Sequence, residues 1–505
     1  MILSRGALKD ISSSFAELPD KNVFGLPEKV LQFGTGVLLR GLCDYYINKA
    51  NNAGIFNGRA VVVKSTSTGG TDEFLAQDCL YTHCIRGIED GAKAEENIIN
   101  ASISRVLSAK DEWSEILACA ENPEMEIVIS NTTEVGIALS PKDKIDAIPP
   151  VSFPGKLLAF LYRRFKFFNG DAEKGMVIVP TELLPENGKK LKTIILELAR
   201  LNSPETDFIT WIENCNYFCS SLVDRIVPGK LPLQEKEEVE KKAGFRDDLM
   251  IMSEPYGLWA IETNNKKAAE KLSFSKADEG VVIAEDISKF RELKLRLLNG
   301  THTFTCGLAY LAGFTTIKET MADEKMAKFV QQLMQNEIAP NIPYKVEPEE
   351  ATEFSNKVLD RFRNPFLEHK VLAITVQYSS KMKTRNIPLL LENYKKTSDV
   401  PLLMAFDFAA HILFMNCQEE NGKFFGNYND KKYPVEDDNA QLYADKWNNY
   451  KGDSLVSSIL SDQKLWETDL TVLDGFKEAV AVDLHRLQNS EVRQAIKEVL
   501  AQKEL

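Results

Sequence analysis

The chain predicts an α/β protein in two parts, a parallel-sheet domain over residues 1–286 and a mostly α-helical domain over 287–505. Three observations predict it. Four β-branched runs in the first half are separated by helical patterns, and that alternation implies a parallel sheet with crossover helices. The first run leads directly into Gly34-x-Gly36. Beyond about Asp286, strand signals thin out and helical periodicity takes over.

In chain order the strand candidates are Val30–Phe33 (VLQF), Ala60–Val63 (AVVV), Glu126–Ser130 (EIVIS) and Met176–Val179 (MVIV). Gly36–Ala50, Ser108–Ala120 and Leu191–Leu201 carry helical spacing around them. Phe218–Ile226, Leu249–Met252 and Val281–Ala284 read as further strands that extend or flank the sheet. The second half reads as helices over Glu285–Tyr310, Ala322–Gln335, Glu353–Arg361, Asn364–Thr375 and Pro401–Cys417. Gln418–Gln441, rich in Gly, Asn and Asp, reads as a loop. Phe476–Leu500 is helical again, with Asn489 and Ser490 placed to end one helix and cap the next.

Composition excludes several classes. The 505 residues carry 61 Lys and Arg against 74 Asp and Glu, a net charge of −13. A nucleic-acid binder would show a basic face, so a small-molecule ligand is expected instead. The most apolar stretch, Pro401–Met415, is too short for a membrane span and contains Asp407 and His411. The N-terminus has no long apolar run of the secretory kind. The eight cysteines form no C-x-x-C pair, which predicts reduced thiols and a cytoplasmic protein. No two of the five histidines stand at i, i+3 or i+4. Zinc chemistry needs such clustered ligands, so no metal is expected, and redox chemistry would need an organic cofactor with a protein acid/base.

VLQFGTGVLLR (Val30–Arg40) is a strand, a glycine turn and a helix. Glycines allow a tight turn and close backbone approach, and a helix N-terminus offers N–H groups to a pyrophosphate. Phe33, Gly34, Thr35 and Gly36 are therefore candidate cofactor contacts in a Rossmann-type domain. The third glycine of the usual fingerprint is replaced by Leu39. The second strand ends in Lys64 and Ser65, where an acidic residue usually meets the ribose of NAD. Lys64 suits the 2′-phosphate of NADP, and equally a solvated strand end.

Asp286 is placed to cap a helix running through KLRLLNGTHT (Lys294–Thr303). With Lys294 at zero on an α-helix, His302 falls at about 80° and Asn299 at about 140°, which interleaves the three polar groups with leucines on one face. A lysine can take the hydroxyl proton when an alcohol is oxidised by hydride loss. Asn and His can donate to the developing oxyanion. Spacing alone also describes a snorkelling lysine and a satisfied helix histidine.

Lys294-x4-Asn299-x2-His302 resembles the signature of the long-chain polyol dehydrogenases, the mannitol dehydrogenase family. FCSSLVDRIVPG, with Asp224 and Arg225, is similar to that family's V-D-R-I-x-P segment. FGTGVLLRG resembles its phosphate turn, and SNTTEVG (Ser130–Gly136) the segment reaching the nicotinamide. RFRNP (Arg361–Pro365) and SSKMKTR (Ser379–Arg385) resemble its C-terminal substrate segments. The likeness runs over nearly the whole chain in the right order.

The resemblance implies a metal-independent NAD oxidoreductase. Lys294 would be the general acid/base, Asn299 and His302 would hold the reacting oxygen, and Asp224 would orient the site. It implies Asn131, Thr132 and Thr133 as cofactor contacts. Where polyol dehydrogenases carry Asp-Asn, this chain has Glu182 and Leu183 in PTELLPENG. That form resembles the uronate branch, which uses NAD and lacks the usual ribose acid. The implied substrate is a keto-uronate with its aldonate product. A carboxylate is best held by Arg or Lys; Arg363, Lys381, Lys383 and Arg385 are candidates, Lys381 being the best family match. A monomer or weak homo-oligomer is expected. Other keto-sugars such as fructuronate, the mannitol/fructose pair, and a non-catalytic dinucleotide-binding regulator stay open as alternatives.

Overall fold

The computed structural model describes all residues except 67–69, 133–134, 203 and 504–505. The chain forms two compact units, Met1–Arg86 with Lys93–Ile287, and Gly87–Ala92 with Ser288–Leu505.

The first unit is built on a six-stranded sheet of β1 (Glu28–Phe33), β2 (Arg59–Lys64), β3 (Ile103–Ser108), β4 (Ile127–Ser130), β5 (Val177–Pro180) and β6 (Tyr217–Phe218). Every pairing is parallel. The spatial order is β3-β2-β1-β4-β5-β6, the doubly wound order of a dinucleotide-binding sheet. Its four central strands are buried on both faces because both faces are covered, while the edge strands β3 and β6 are only partly buried. Leu31, Phe33, Val61, Val63, Val128 and Ile178 point into one core with Leu157, Phe160 and Leu191. Val30, Ala60, Ile127, Ile129, Val177 and Val179 point into the other with Tyr46 and Ile47.

Two expected elements are corrected, and strands absent from the sequence reading are added, β3 among them. The helix after Gly36 is broken: α1 (Val37–Gly41) stops at Leu42 and α2 (Cys43–Asn52) begins anew. At Gly41 a Cβ would lie 2.9 Å from Val227, so packing excludes a side chain there. The strand expected over Phe218–Ile226 divides into β6 and Ser220–Asp224, which joins a separate sheet with Leu258–Glu262 and Val281–Ala284. Two long strands, Tyr81–Glu89 and Ala92–Asn100, lie between β2 and β3; the second is largely exposed and polar and gives little apolar signal.

The second unit is mostly helical. Leu402–Phe414 is buried on nearly all sides, the usual fate of a helix apolar all round. Burial holds the Asp407 carboxyl well above its ordinary range and the His411 imidazole down at about 3. Among the described residues no helix is long and apolar enough to cross a membrane.

The segment expected as a loop, Gln418–Gln441, contains most of an antiparallel meander of Cys417–Glu420, Lys423–Tyr428 and Lys431–Pro434. Its turns, Asn421-Gly422 and Asn429-Asp430, all take positive φ, the geometry of two-residue hairpins. The helix expected over Asn364–Thr375 shrinks to Val371–Ile374, because Pro365 disfavours helix at Asn364.

Candidate functional site

Three segments converge at the carboxyl ends of β1 and β4, where the strand order reverses. Gly34 takes φ +130, and a Cβ there would meet Leu39 Cδ1 at 2.9 Å and the Asn131 carbonyl at 3.0 Å. The fold itself therefore requires this glycine. Gly36 differs: its φ is −63, and a Cβ would have nothing within 4 Å. Open space beside an exposed glycine is what a cradle for a close-approaching pyrophosphate provides. The Phe33 side chain is core, packed on Phe153 at 5.1 Å, so only its backbone faces this turn. Thr35 is half-buried beside it.

Asn131 N–H donates to the Phe33 carbonyl at 3.0 Å, and its amide donates to Thr181 Oγ1 at 3.0 Å. Thr132 donates through both its N–H and its hydroxyl to Glu182 Oε1, each at 2.9 Å. Ser130 Oγ adds 3.1 Å to Glu182 Oε2. Burial pushes the Glu182 carboxyl up, and these hydrogen bonds oppose the shift. Glu182 thus staples the turn after β4, while Leu183, where the polyol enzymes' asparagine is expected, is exposed. Thr133 lies outside the described residues. Lys64 is buried and its ammonium donates to the Thr66 carbonyl at 2.6 Å.

Asp224 ends the strand Ser220–Asp224 in the same unit and is buried. Its neighbour Arg225 is structural: it donates to the carbonyls of Glu254 at 3.0 Å and Gly41 at 2.9 Å, and lies over the Tyr45 ring at 4.4 Å.

In the second unit the expected continuous helix is interrupted. Ser288–Leu293 is α-helical, Lys294–Gly300 is π-helical, and Thr301–Leu311 is α-helical again. The π pattern joins residues five apart, and such turns recur at functional sites. On a π turn five residues make little more than one revolution, so Lys294 and Asn299, about 140° apart on an α-helix, stand closer together around the axis; both are half-buried. This corrects the α-helical geometry expected from the spacing.

His302, one turn on, is buried and lies flat on Phe362, ring centroids 4.0 Å apart at 21°. His369 meets it edge-on at 5.0 Å. Burial first, then the charges of His369, Arg361 and Arg385, hold its imidazole well below the usual range. It is neutral at physiological pH, and its buried Nδ1 has no hydrogen-bond partner among the described residues.

Arg361 and Arg385 act on this ring, and Lys381 acts on the neighbouring His369. Lys381 donates to the Ile374 carbonyl at 3.0 Å; burial and Arg385 lower its ammonium, and Lys381 in turn adds to the burial that lowers His369. Arg385 Nη1 donates to Thr303 Oγ1 at 3.1 Å. Arg361 is buried, whereas the candidate Arg363 is exposed and faces Asp360 at 3.6 Å. Lys383 pairs with Glu467 at the surface. Arg361 and His369 thus lie beside His302, a proximity that the charge pattern alone does not single out. Among the described residues no cluster of three His, Cys, Asp or Glu side chains could hold a metal ion.

A doubly wound sheet with a glycine turn at its switch point, in one chain with a helical unit presenting lysine, asparagine and a neutral histidine, defines a two-domain dinucleotide-dependent oxidoreductase. The profile of the mannitol dehydrogenase Rossmann domain matches residues 28–274, and that of the mannitol dehydrogenase C-terminal domain matches 286–488. The chain belongs to the mannitol dehydrogenase family.

Its relatives include the altronate oxidoreductase of Bacillus subtilis, 35% identical over 96% of this chain and 98% of that protein. The altronate oxidoreductase of Shigella flexneri is 36% identical over 93% and 96%. Among solved structures, the Pseudomonas fluorescens mannitol 2-dehydrogenase in ternary complex with NAD and D-mannitol matches with TM-score 0.67 and 22% identity, covering 99% of this chain and 100% of that one. A substrate-free D-sorbitol dehydrogenase matches with TM-score 0.76 and 19% identity, covering 98% and 100%. The two structures establish the fold.

Proposed function

We propose that this protein is an NAD-dependent tagaturonate reductase (altronate oxidoreductase), interconverting a keto-uronate and its aldonate. The observation that carries the reading is the near full-length likeness to altronate oxidoreductases, together with a cation-rich helical unit suited to a carboxylated sugar.

Phe33, Gly34, Thr35 and Gly36 would cradle the dinucleotide, with Lys64 at the second strand end and Asn131, Thr132 and Thr133 toward the nicotinamide. Bound NADH supplies the hydride for reduction, and NAD accepts it in oxidation. Lys294 gives a proton to the substrate's carbonyl oxygen in reduction and takes it back in oxidation. Asn299 and the neutral imidazole of His302 donate to the same oxygen as negative charge develops there. A neutral imidazole keeps a proton to donate without adding a full charge. Asp224 orients the site. Lys381 holds the substrate carboxylate, with Arg363 at the rim. No nucleic acid takes part; the enzyme works in the cytoplasm as a monomer or weak homo-oligomer.

NADH consumption against a panel of keto-uronates and neutral ketoses tests the reading. Tagaturonate is expected to be the best substrate. Faster reduction of fructose would return the chain to polyol chemistry, and dinucleotide binding without turnover of any of them would make it a regulator.

A further inference from the structure

The second unit contains another π-helical segment, Met382–Asn386, and it packs on the first. Two arginines link them reciprocally. Arg296, buried within Lys294–Gly300, donates from Nη1 to the carbonyls of Thr384 at 2.9 Å and Arg385 at 2.6 Å. Its Nε is steadied by Glu292 at 2.9 Å. Arg385 reaches back and donates to Thr303 Oγ1 at 3.1 Å, with the Asn299 carbonyl at 3.5 Å. Thr303 Oγ1 itself donates to the Asn299 carbonyl at 2.8 Å. At Gly300 a Cβ would approach Asn386 Oδ1 to 3.2 Å, so the two segments also meet closely.

A π turn replaces i→i+4 bonding and is tolerated where its surroundings hold it. Here the carbonyls of one π segment are capped by the arginine of the other. We propose that Arg296 and Arg385 are positioning residues, a reciprocal clamp that keeps both segments π-helical and thereby holds Lys294 and Asn299 closer together around the axis. The inference rests on the roles assigned above to Lys294 and Asn299. Neither arginine needs to touch the reacting atoms to act in this way. Displacements of about 1 Å at such a site can cost on the order of 10²-fold in rate.

The test uses Arg296→Lys, Arg385→Lys and the double variant in the full chain. They are assayed on whichever sugar the parent reduces, so an error in substrate class alters the parent's panel and leaves the variant-to-parent ratios readable. Each single variant should lower kcat roughly 10- to 100-fold, with KM and NADH affinity near parental. The double should lose no more than the worse single, because the clamp breaks once. Amide hydrogen exchange over residues 294–303 should quicken in all three, a readout independent of turnover. Thr303→Val, which deletes only the hydroxyl relay, serves if an arginine variant does not fold; it should show the same kcat loss and faster exchange. Parental kcat with only a lowered Tm, multiplicative losses in the double, or unchanged exchange would each overturn the clamp.

Discussion

The imidazole of His302 lies on the ring of Phe362, 4.0 Å between centroids and 21° between planes. A neutral, buried imidazole has no charge partner to fix its orientation, so this stacked ring and the edge of His369 set the direction in which it can donate. Aromatic pairs of this kind contribute about 0.5–1.5 kcal/mol beyond their burial. Phe362→Leu should therefore lower kcat by up to about tenfold, at 1.36 kcal/mol per tenfold, and leave NADH affinity alone. Steady-state kinetics beside a fluorescence titration of NADH separates the two. An unchanged kcat would mean that the imidazole plane is set by other contacts.

The two turn glycines should fail differently. Gly34→Ala forces a side chain onto φ +130 and against Leu39, and should destabilise the fold by about 1–3 kcal/mol. At Gly36 a Cβ has nothing within 4 Å, so the Gly36→Val fold should persist while the KM for NADH rises roughly tenfold or more. Thermal unfolding and NADH kinetics on both variants check this. A Gly36→Val enzyme with parental NADH kinetics would remove the pyrophosphate from this turn. NADPH serving as well as NADH would instead favour Lys64 as a 2′-phosphate contact.

Asp44 gives a pH dependence with a definite sign. Burial raises its carboxyl to about 7, with the Gln32 amide at 3.2 Å and the charge of Arg40 opposing the shift. The folded protein keeps this proton to about pH 7, whereas the unfolded chain releases it near its ordinary value of 3.8. Stability from this group is thus fully present below that value and is lost as pH rises through about 7, with a slope of about 1.4 kcal/mol per pH unit inside the window. Asp44→Asn should remove the slope, so the variant gains on the parent between pH 5 and 7.5. Urea midpoints at the two pH values measure it; parallel shifts in both proteins would show that Asp44 does not carry the effect.

Metal removal should have no consequence. Treatment with a strong chelator is expected to leave kcat and KM at parental values, since proton transfer is assigned to Lys294. Loss of activity that zinc alone restores would require a different mechanism.

Strands β1, β2, β4 and β5 were legible because they are buried on both faces and read as Val- and Ile-rich runs, and the glycine turn because its signal is local; the edge strand β3 was not, because ISRVLS mixes polar and apolar residues and is only partly buried. The Cys417–Pro434 meander was not, since its exposed strands carry Gln, Glu, Lys and Asn; its Asn-Gly turn was the available signal. The π segment cannot be told from α-helix by periodicity, because KLRLLNG satisfies both, so the Lys294–Asn299 geometry needed the structure. Arg361 and Arg363 differ by two residues, and only burial separates the one beside His302 from the one facing solvent. His369 reaches His302 from a loop that Asn364-Pro365 takes out of helix, a breaker that was readable in the sequence.

Lys294→Ala tests the central claim most directly. General acid–base catalysis typically supplies 10²–10⁴-fold, so stopped-flow or steady-state reduction of tagaturonate by NADH should fall at least roughly 10²-fold in kcat. NADH binding and the folded state should persist, because the glycine turn belongs to the other compact unit. An added small amine should restore part of the rate. A folded Lys294→Ala protein that keeps near-parental kcat would contradict the account, leaving the lysine structural and the proton transfer without its donor.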